Sequence, residues 1–588
     1  MARSSEKGWF GSLKAVFGCD PRSLAAFRIV MGVLILIDVA MRWPSLGAMM
    51  TDNGVIDRGT ATQLLQAEYG NDASVIWSLN FLSGDLFFQQ MLALMLVAAG
   101  ILLSIGLATR WMTIACWVLV LSLHMRCPII LTSGDTLLRC MLFWSIFAPL
   151  GFCWSVDARL AKRTLADQPQ AILTGGTVGL ISQMIVMYFF AGLAKWNDIW
   201  WQGDAMDYVL RLDIYARPWA SALLEYPLLL KMISWSTLFA ELFLILLLLV
   251  PWQNTWWRTV NVLVYFGLHL SIASTMSIGL FSYLSVLGWL PLIPAAFWQL
   301  KILAGWGFEI PFFGYDYDDP IPDLVTAGHP QRDWNSGFLY LGNVISVLMV
   351  GYVVLWNVAN VPNAYDGDLK QRLNLSDQEF ADQIAIRRPF AAAMPSGLRW
   401  IGLVTGTSQH FQMFGVPPLI NPWFVYDATL EDGSKIDLLR WDKVDYERPV
   451  SILYSINGHH WRKLHRNLLA DSGSNVRQRL AEYQIRRWDQ SHREGKRVRT
   501  LRVTCFAQKT GPQYKDEAVV PLIWYDTSSQ KVESIEDLQK LLDSNPDLLP
   551  GFSSDRRKIQ KNNSATLGED QPTTVANREA LLPSALVL

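Results

Sequence analysis

Long apolar runs alternate with short polar breaks through the first 360 residues, and the pattern then stops. Nine runs are long enough, or nearly so, to cross a bilayer as helices, which takes about 20 residues. They lie near 24–43, 88–107, 111–129, 136–152, 178–195, 232–251, 257–275, 277–299 and 338–358. The fourth and fifth are short, and the seventh and eighth almost touch. The predicted fold is therefore a polytopic α-helical membrane protein of about nine transmembrane helices. Basic residues in short loops set the orientation. Arg3, Lys7, Lys14 and Arg22 precede the first run, and Arg159, Lys162 and Arg163 follow the fourth. Both groups are expected to be cytoplasmic, and nine spans then put the C-terminus on the opposite side.

From about residue 400 the period changes. Trp423 to Leu439 alternates and contains Glu431-Asp-Gly-Ser434, a hairpin turn signal. Val450 to Asn457, Val498 to Gln508 and Ala518 to Tyr525 read as further strands, and Asn475 to Arg493 has helical spacing. These features predict a C-terminal β-rich extramembrane domain. The divisions are a cytoplasmic segment at 1–23, a membrane domain at 24–358, a connector at 359–415 and an extracytoplasmic domain at 416–550. A polar tail at 551–588, poor in aromatics, is expected to be disordered.

Composition agrees with a membrane protein. Hydrophobic residues make up 51% of the 588 and charged residues 17%, where a soluble chain carries roughly a quarter. A net charge of −1 gives no reason to expect nucleic acid as a partner. Cys19, Cys116, Cys127, Cys140, Cys153 and Cys505 form no CxxC pair, which argues against zinc and against a disulfide framework. His459-His460 has no second ligand cluster beside it, so no metal is expected.

An intramembrane charge is costly and usually faces a cavity or a partner. Arg126, Asp135, Arg139, Lys195, His269 and Ser277 all fall towards the extracytoplasmic ends of their segments, and a shared cavity is the simplest account. Each also has a plainer reading. Lys195, beside Trp196, Trp200 and Trp201, can snorkel to an interface. Asp135 can cap the fourth helix and pair with Arg139 at i,i+4. His269 can be a hydrogen-bonded packing group. Arg28, Asp38 and Glu241 read as structural, Glu241 either paired with an arginine or protonated.

Two motifs together resemble one family. The first is Tyr188-Phe-Phe-Ala-Gly-Leu-Ala-Lys195, with Trp200, Gly203 and Met206 downstream. The second is His269, seven residues, then Ser277-Ile-Gly-Leu-Phe-Ser-Tyr283. Asp20-Pro-Arg-Ser-Leu-Ala-Ala-Phe-Arg28, Trp154-Ser-Val-Asp157 and Gln409-His-Phe-Gln-Met-Phe414 support it. Over roughly residues 15–420 the chain is similar to the vitamin K-dependent γ-glutamyl carboxylases and their relatives with the horizontally transferred transmembrane (HTTM) domain. The resemblance implies that Lys195 stands where the carboxylases keep the base that deprotonates reduced vitamin K, and that His269 belongs to the same active-site region. The chain departs from that pattern at two places. Asp135 lies close to where the carboxylases have a histidine, and Ala194 stands in place of a second lysine. An anionic Asp135 would repel a glutamate carbanion, which speaks against glutamate carboxylation but leaves quinol deprotonation open.

The leading expectation is a carboxylase-like or quinol-dependent oxidoreductase- or epoxidase-like membrane enzyme, with Lys195 as base and His269 and Asp135 as polar partners. Its cofactor would be a reduced, vitamin K-like quinone, a lipid-soluble quinol, and membrane lipid its surroundings. The rival is a non-catalytic assembly or maturation factor that binds a secreted protein or peptide client through its C-terminal domain.

Overall fold

The computed structural model describes residues 9–162, 171–298, 336–360, 394–411 and, with short gaps, residues up to 527. The expected tail at 551–588 and most of the expected connector lie outside these residues.

Among the described residues, five helical stretches are long and apolar enough to cross a membrane: Pro21–Met50, Leu86–Ile105, Gly175–Ala194, Pro227–Leu249 and Tyr340–Asn360. The other four expected spans are helical but shorter or more polar. Thr109–Arg126 carries Arg110, His124 and Arg126, and Asn254–Thr275 carries Arg258 and His269. Ser133–Ser145 has 13 residues, and Phe281–Trp289 stops after nine, just before Pro291. Nine full spans are therefore not observed. Ser133–Ser145 and Phe281–Trp289 are mostly buried, whereas Asn254–Thr275 buries Arg258, Asn261, Tyr265 and His269 and leaves Trp256, Leu263 and Leu270 exposed. Pro21–Arg42 packs along Leu86–Ile105, and Gly175–Ala194 along Ser336–Asn360.

Two of the supporting motifs prove to be helix starts. Asp20 accepts the Arg22 N–H at 2.8 Å, with Pro21 in the first turn, which is how an apolar span is capped. Ser155 caps the next short helix, and Asp157 accepts from the Thr109 N–H at 2.8 Å and its hydroxyl at 2.7 Å. Arg28 is closed onto the carbonyls of Leu150, Ser104 and Trp154, and Arg126 onto those of Met50 and Ile56. Both are structural, which removes Arg126 from the expected shared cavity.

The C-terminal region holds a four-stranded antiparallel sheet in the order β2-β1-β3-β4. Its strands are β1 (Ile420–Leu430), β2 (Lys435–Asp437), β3 (Val498–Lys509) and β4 (Val519–Asp526). The predicted hairpin turn is present, with Gly433 in the left-handed region at φ +83°. Helix Ser474–Ser491 matches the predicted helical stretch and packs on β3 and β4. No strand occurs among the described residues of 450–457. A helix follows instead, His459–Asn467, whose basic side chains turn towards the membrane helices. All six cysteines are buried and free.

Candidate functional site

Lys195 ends the Gly175–Ala194 helix and is only 4% exposed, so it does not snorkel. Its Nζ donates to Glu241 Oε2 at 2.7 Å and to the Ala191 carbonyl at 3.4 Å, and stands 5.4 Å from the Trp200 ring centre. Glu241 is thus paired with Lys195 rather than with an arginine. It is the partner of the candidate base. Trp196 and Trp201 remain partly exposed as an interfacial pair, while Trp200 is buried.

The local sequence explains the pairing. Glu241 lies in a single π turn, Ala240–Leu244, between the α-helix Pro227–Phe239 and a 3-10 stretch, Ile245–Leu249. Such turns widen the helix and leave carbonyls with changed partners. Tyr265 Oη donates to the Ala240 carbonyl there at 2.9 Å. Gly192, from the motif itself, allows the close approach. A Cβ at position 192 would sit 3.0 Å from the Glu241 carbonyl carbon. Glycine three residues before the lysine was the sequence signal for this contact.

His269 is buried, and its Nε2 shares a 2.5 Å hydrogen bond with Tyr188 Oη. Trp289 Nε1 donates to the same oxygen at 3.1 Å. Tyr188 and Lys195 belong to one segment, so the lysine's helix does face the helix of His269. The contact is made by Tyr188, and no hydrogen bond joins Lys195 to His269 among the described residues. Tyr265 and Trp289 stack at 4.4 Å beside them, forming an aromatic wall.

Asp135 belongs to a different network. Thr132 caps its helix, and Asp135 Oδ2 accepts the Thr132 N–H at 2.6 Å and its hydroxyl at 2.8 Å, completing a capping box. Arg42 forms an ion pair with Asp135 and also donates to Asp38 at 2.9 Å. His124 Nε2 stands 3.3 Å from Asp135. The expected Asp135–Arg139 pair is absent. Asp135 is turned back to the cap, where Arg42 of the first span reaches it, and Arg139 donates to Thr136 Oγ1 at 3.4 Å instead. Asp38, His124 and Asp135 each place one possible metal-ligand atom within 4.8 Å of the others. Arg42 already supplies a cation to both carboxylates.

The single shared cavity is thus two closed networks, with Phe281 standing between them. Its ring centre is 5.6 Å from that of His269, and its backbone lies against Gly134 beside Asp135.

Two clefts open on the Asp135 side, at the junction with the C-terminal region. The smaller, about 310 Å³, is lined by Asp38, Asp135, His459 and His460. The larger, about 480 Å³ with its open mouth included, is bounded by Ile278, Phe281, Met413 and Phe414 and by His459, Lys463 and Arg466. Gly279, at φ +68°, makes room for His459, because a Cβ there would lie 2.7 Å from its ring. Arg462 donates to Ser277 Oγ at 2.9 Å, Arg466 to Tyr215 Oη, and Asn467 to the Ile129 carbonyl at 2.6 Å. Burial first, then the Arg462 guanidinium, pushes His459 down to about 3. Burial, then Arg466, pushes Lys463 down to about 7. Sequence reading passed over Lys463. Nothing in its neighbourhood marks it, because the helix that carries it was not foreseen to dock on the membrane part.

The Gln409–Phe414 element ties the halves together. Gln183 Nε2 donates to Gln409 Oε1 at 2.5 Å, and Trp356 Nε1 to the Gln409 carbonyl at 2.8 Å. Trp200 Nε1 donates to the Phe414 carbonyl at 2.8 Å, and Asn197 to that of Gly415 at 2.7 Å.

No solved structure matches this chain. The family model of the HTTM domain matches residues 18–298, which hold Lys195, Glu241, His269 and Asp135. Residues 18–298 are similar to the HTTM domain, the carboxylase resemblance follows from that match, and together with the five apolar helices it points to a membrane protein.

Proposed function

We propose that this protein is a quinol-linked membrane enzyme in which Lys195 is the base. The observation that supports the reading is the buried Lys195–Glu241 pair at 2.7 Å, set against the Tyr188, Tyr265 and Trp289 aromatic wall. A buried lysine–carboxylate pair can hold its proton on either partner. In the amine form Lys195 accepts a proton at Nζ, and Glu241 stabilises the ammonium that results. The aromatic faces and the Tyr188–His269 hydrogen bond suit a flat ring bearing a hydroxyl. A reduced, vitamin K-like quinone would supply such a hydroxyl. Asp135 acts at a distance, as the anchor of Arg42 and the cap of its helix.

A specific observation also favours the rival, a non-catalytic assembly factor. Lys195 and His269 line neither of the two clefts, and their hydrogen bonds are closed among protein groups. In that reading the C-terminal sheet and its helices hold an exported client. Both readings place this domain outside the cytoplasm. The basic N-terminal tail and an odd count of spans, nine expected or five found, support that side.

The test is turnover of reduced menaquinone under oxygen by the full chain in nanodiscs, followed by absorbance. Activity lost in Lys195→Met and in Glu241→Gln, with both variants inserted and folded, is the expected result. Equal activity in Lys195→Met, or none in the parent protein, sinks the enzyme reading. A reporter after residue 530 that is active only in the cytoplasm overturns the orientation.

A further inference from the structure

The larger cleft carries a feature that the Lys195 chemistry does not use. Lys463 is 8% exposed, and its Nζ has neither a hydrogen bond nor an ion pair among the described residues. The side chain is buried while its Nζ still reaches the cleft, and an amine so poorly hydrated gains from an anionic partner there. The acids whose charges reach it, Glu68 and Asp135, do not bond it, and Asp135 is already held by Arg42. A second donor on the same wall is also unmet. His459 Nε2 is buried without a hydrogen-bond partner. Arg466 stands one turn beyond Lys463 and adds positive charge to the same end of the cleft. The same cleft is also lined by the apolar Phe281, Met413 and Phe414. Two unmet nitrogens and an apolar lining in one cleft match one kind of molecule.

We infer that this cleft binds an anionic amphiphile, a single carboxylate or phosphate on an apolar chain. Lys463 and His459 meet the anion, Arg466 reinforces its field, and Phe281, Met413 and Phe414 hold the chain. A charge-assisted hydrogen bond from Lys463 replaces the hydration it has lost. The apolar side chains gain by covering hydrocarbon. The position suits such a ligand, because the cleft lies where the membrane helices meet the C-terminal helix His459–Asn467. The same chemistry occurs in a free fatty acid and in a phosphatidic acid headgroup, and the test separates the two. The site is independent of the proposed base, so Lys195→Met leaves it intact.

The full-length protein in phosphatidylcholine nanodiscs is photolabelled with a diazirine-bearing palmitate, and the attachment sites are mapped by peptide mass spectrometry. Labelling is expected in segments 278–281 or 413–414. Competition by oleate but not by phosphatidic acid names the fatty acid as occupant, and the reverse names the phospholipid. Lys463→Met should reduce labelling roughly tenfold, the scale of one lost charge-assisted hydrogen bond, while Lys463→Arg keeps most of it. Ser133→Trp fills the mouth of the cleft without changing a charge and should also abolish labelling, so the test stands even where Lys463→Met folds poorly. Labelling that is unchanged in both Lys463→Met and Ser133→Trp overturns the site. So does competition by neutral diacylglycerol as strong as by either anion, or competition by an acidic peptide alone.

Discussion

Lys195 and Lys463 are both buried lysines, one at the end of its helix and the other in the middle of its own, and they differ in what they face. Lys195 is closed on Glu241, with Gly192 and a π turn bringing the two helices together. Lys463 faces a cleft and has no partner in it. The contrast teaches that burial alone does not set the chemistry of an amine. A carboxylate at hydrogen-bond distance makes a burial-tolerant, internally compensated pair. Its absence leaves an amine that discharges or waits for an anion. The Arg42 cluster is closer to Lys195 in this respect, since its guanidinium is held between the carboxylates of Asp38 and Asp135.

The comparison breaks most visibly if the closed networks prove slack. Arg42→Met strands both Asp38 and Asp135, so it should cost at least about 3–5 kcal/mol, the scale of a broken buried pair. Unfolding midpoints in detergent check this. Asp38→Asn/Asp135→Asn combined with Arg42→Met should recover a large part of the loss. Next comes Lys195. Glu241→Leu alone should destabilise by about 3–5 kcal/mol, whereas Lys195→Met/Glu241→Leu should lie much closer to the parent. A double-mutant cycle without coupling would place Lys195 in the same class as Lys463.

Lys463 sharpens the contrast through pH. It stands at about 7 against an ordinary 10.5, chiefly because burial disfavours its charged form. Both folded and unfolded chains carry the proton below about 7, and there the folded state bears the full handicap of the buried ammonium. Above about 7 the folded chain gives up a proton that the unfolded chain keeps, and the cost of giving it up falls away as pH approaches 10.5. Lys463→Met should therefore be more stable than the parent at neutral pH, with the gain shrinking towards pH 10.5. Stability measured across that window decides it, and a gain that grows with pH contradicts the assignment. The smallest expected effect is at Tyr265. Tyr265→Phe removes one hydrogen bond to the π turn and should cost about 1 kcal/mol.

Sequence reading reached the membrane part where apolar runs were uninterrupted, as in 88–107 and 178–195. Its further spans are not confirmed where His124, Arg126 or Arg258 sits in a run, or where 136–152 and 277–299 fold as shorter helices. It reached single residues better than their partners. Lys195 and His269 stood out, but Glu241 is 46 positions from Lys195, and Arg42 is 93 from Asp135. Helical spacing suggests only neighbours three or four residues away, and for Asp135 that pointed to Arg139. The strand expected at 450–457 lies mostly outside the described residues, and the three that are described, Ser451, Leu453 and Ile456, form no strand.

A π turn gives its residues a different angular pitch from the α-helix that precedes it. Removing one residue from 240–244 would rotate one flank by about 100° against the other. Glu241 would swing off Lys195 without any change in either side chain. The lysine's answering charge is thus encoded in chain length as much as in residue identity.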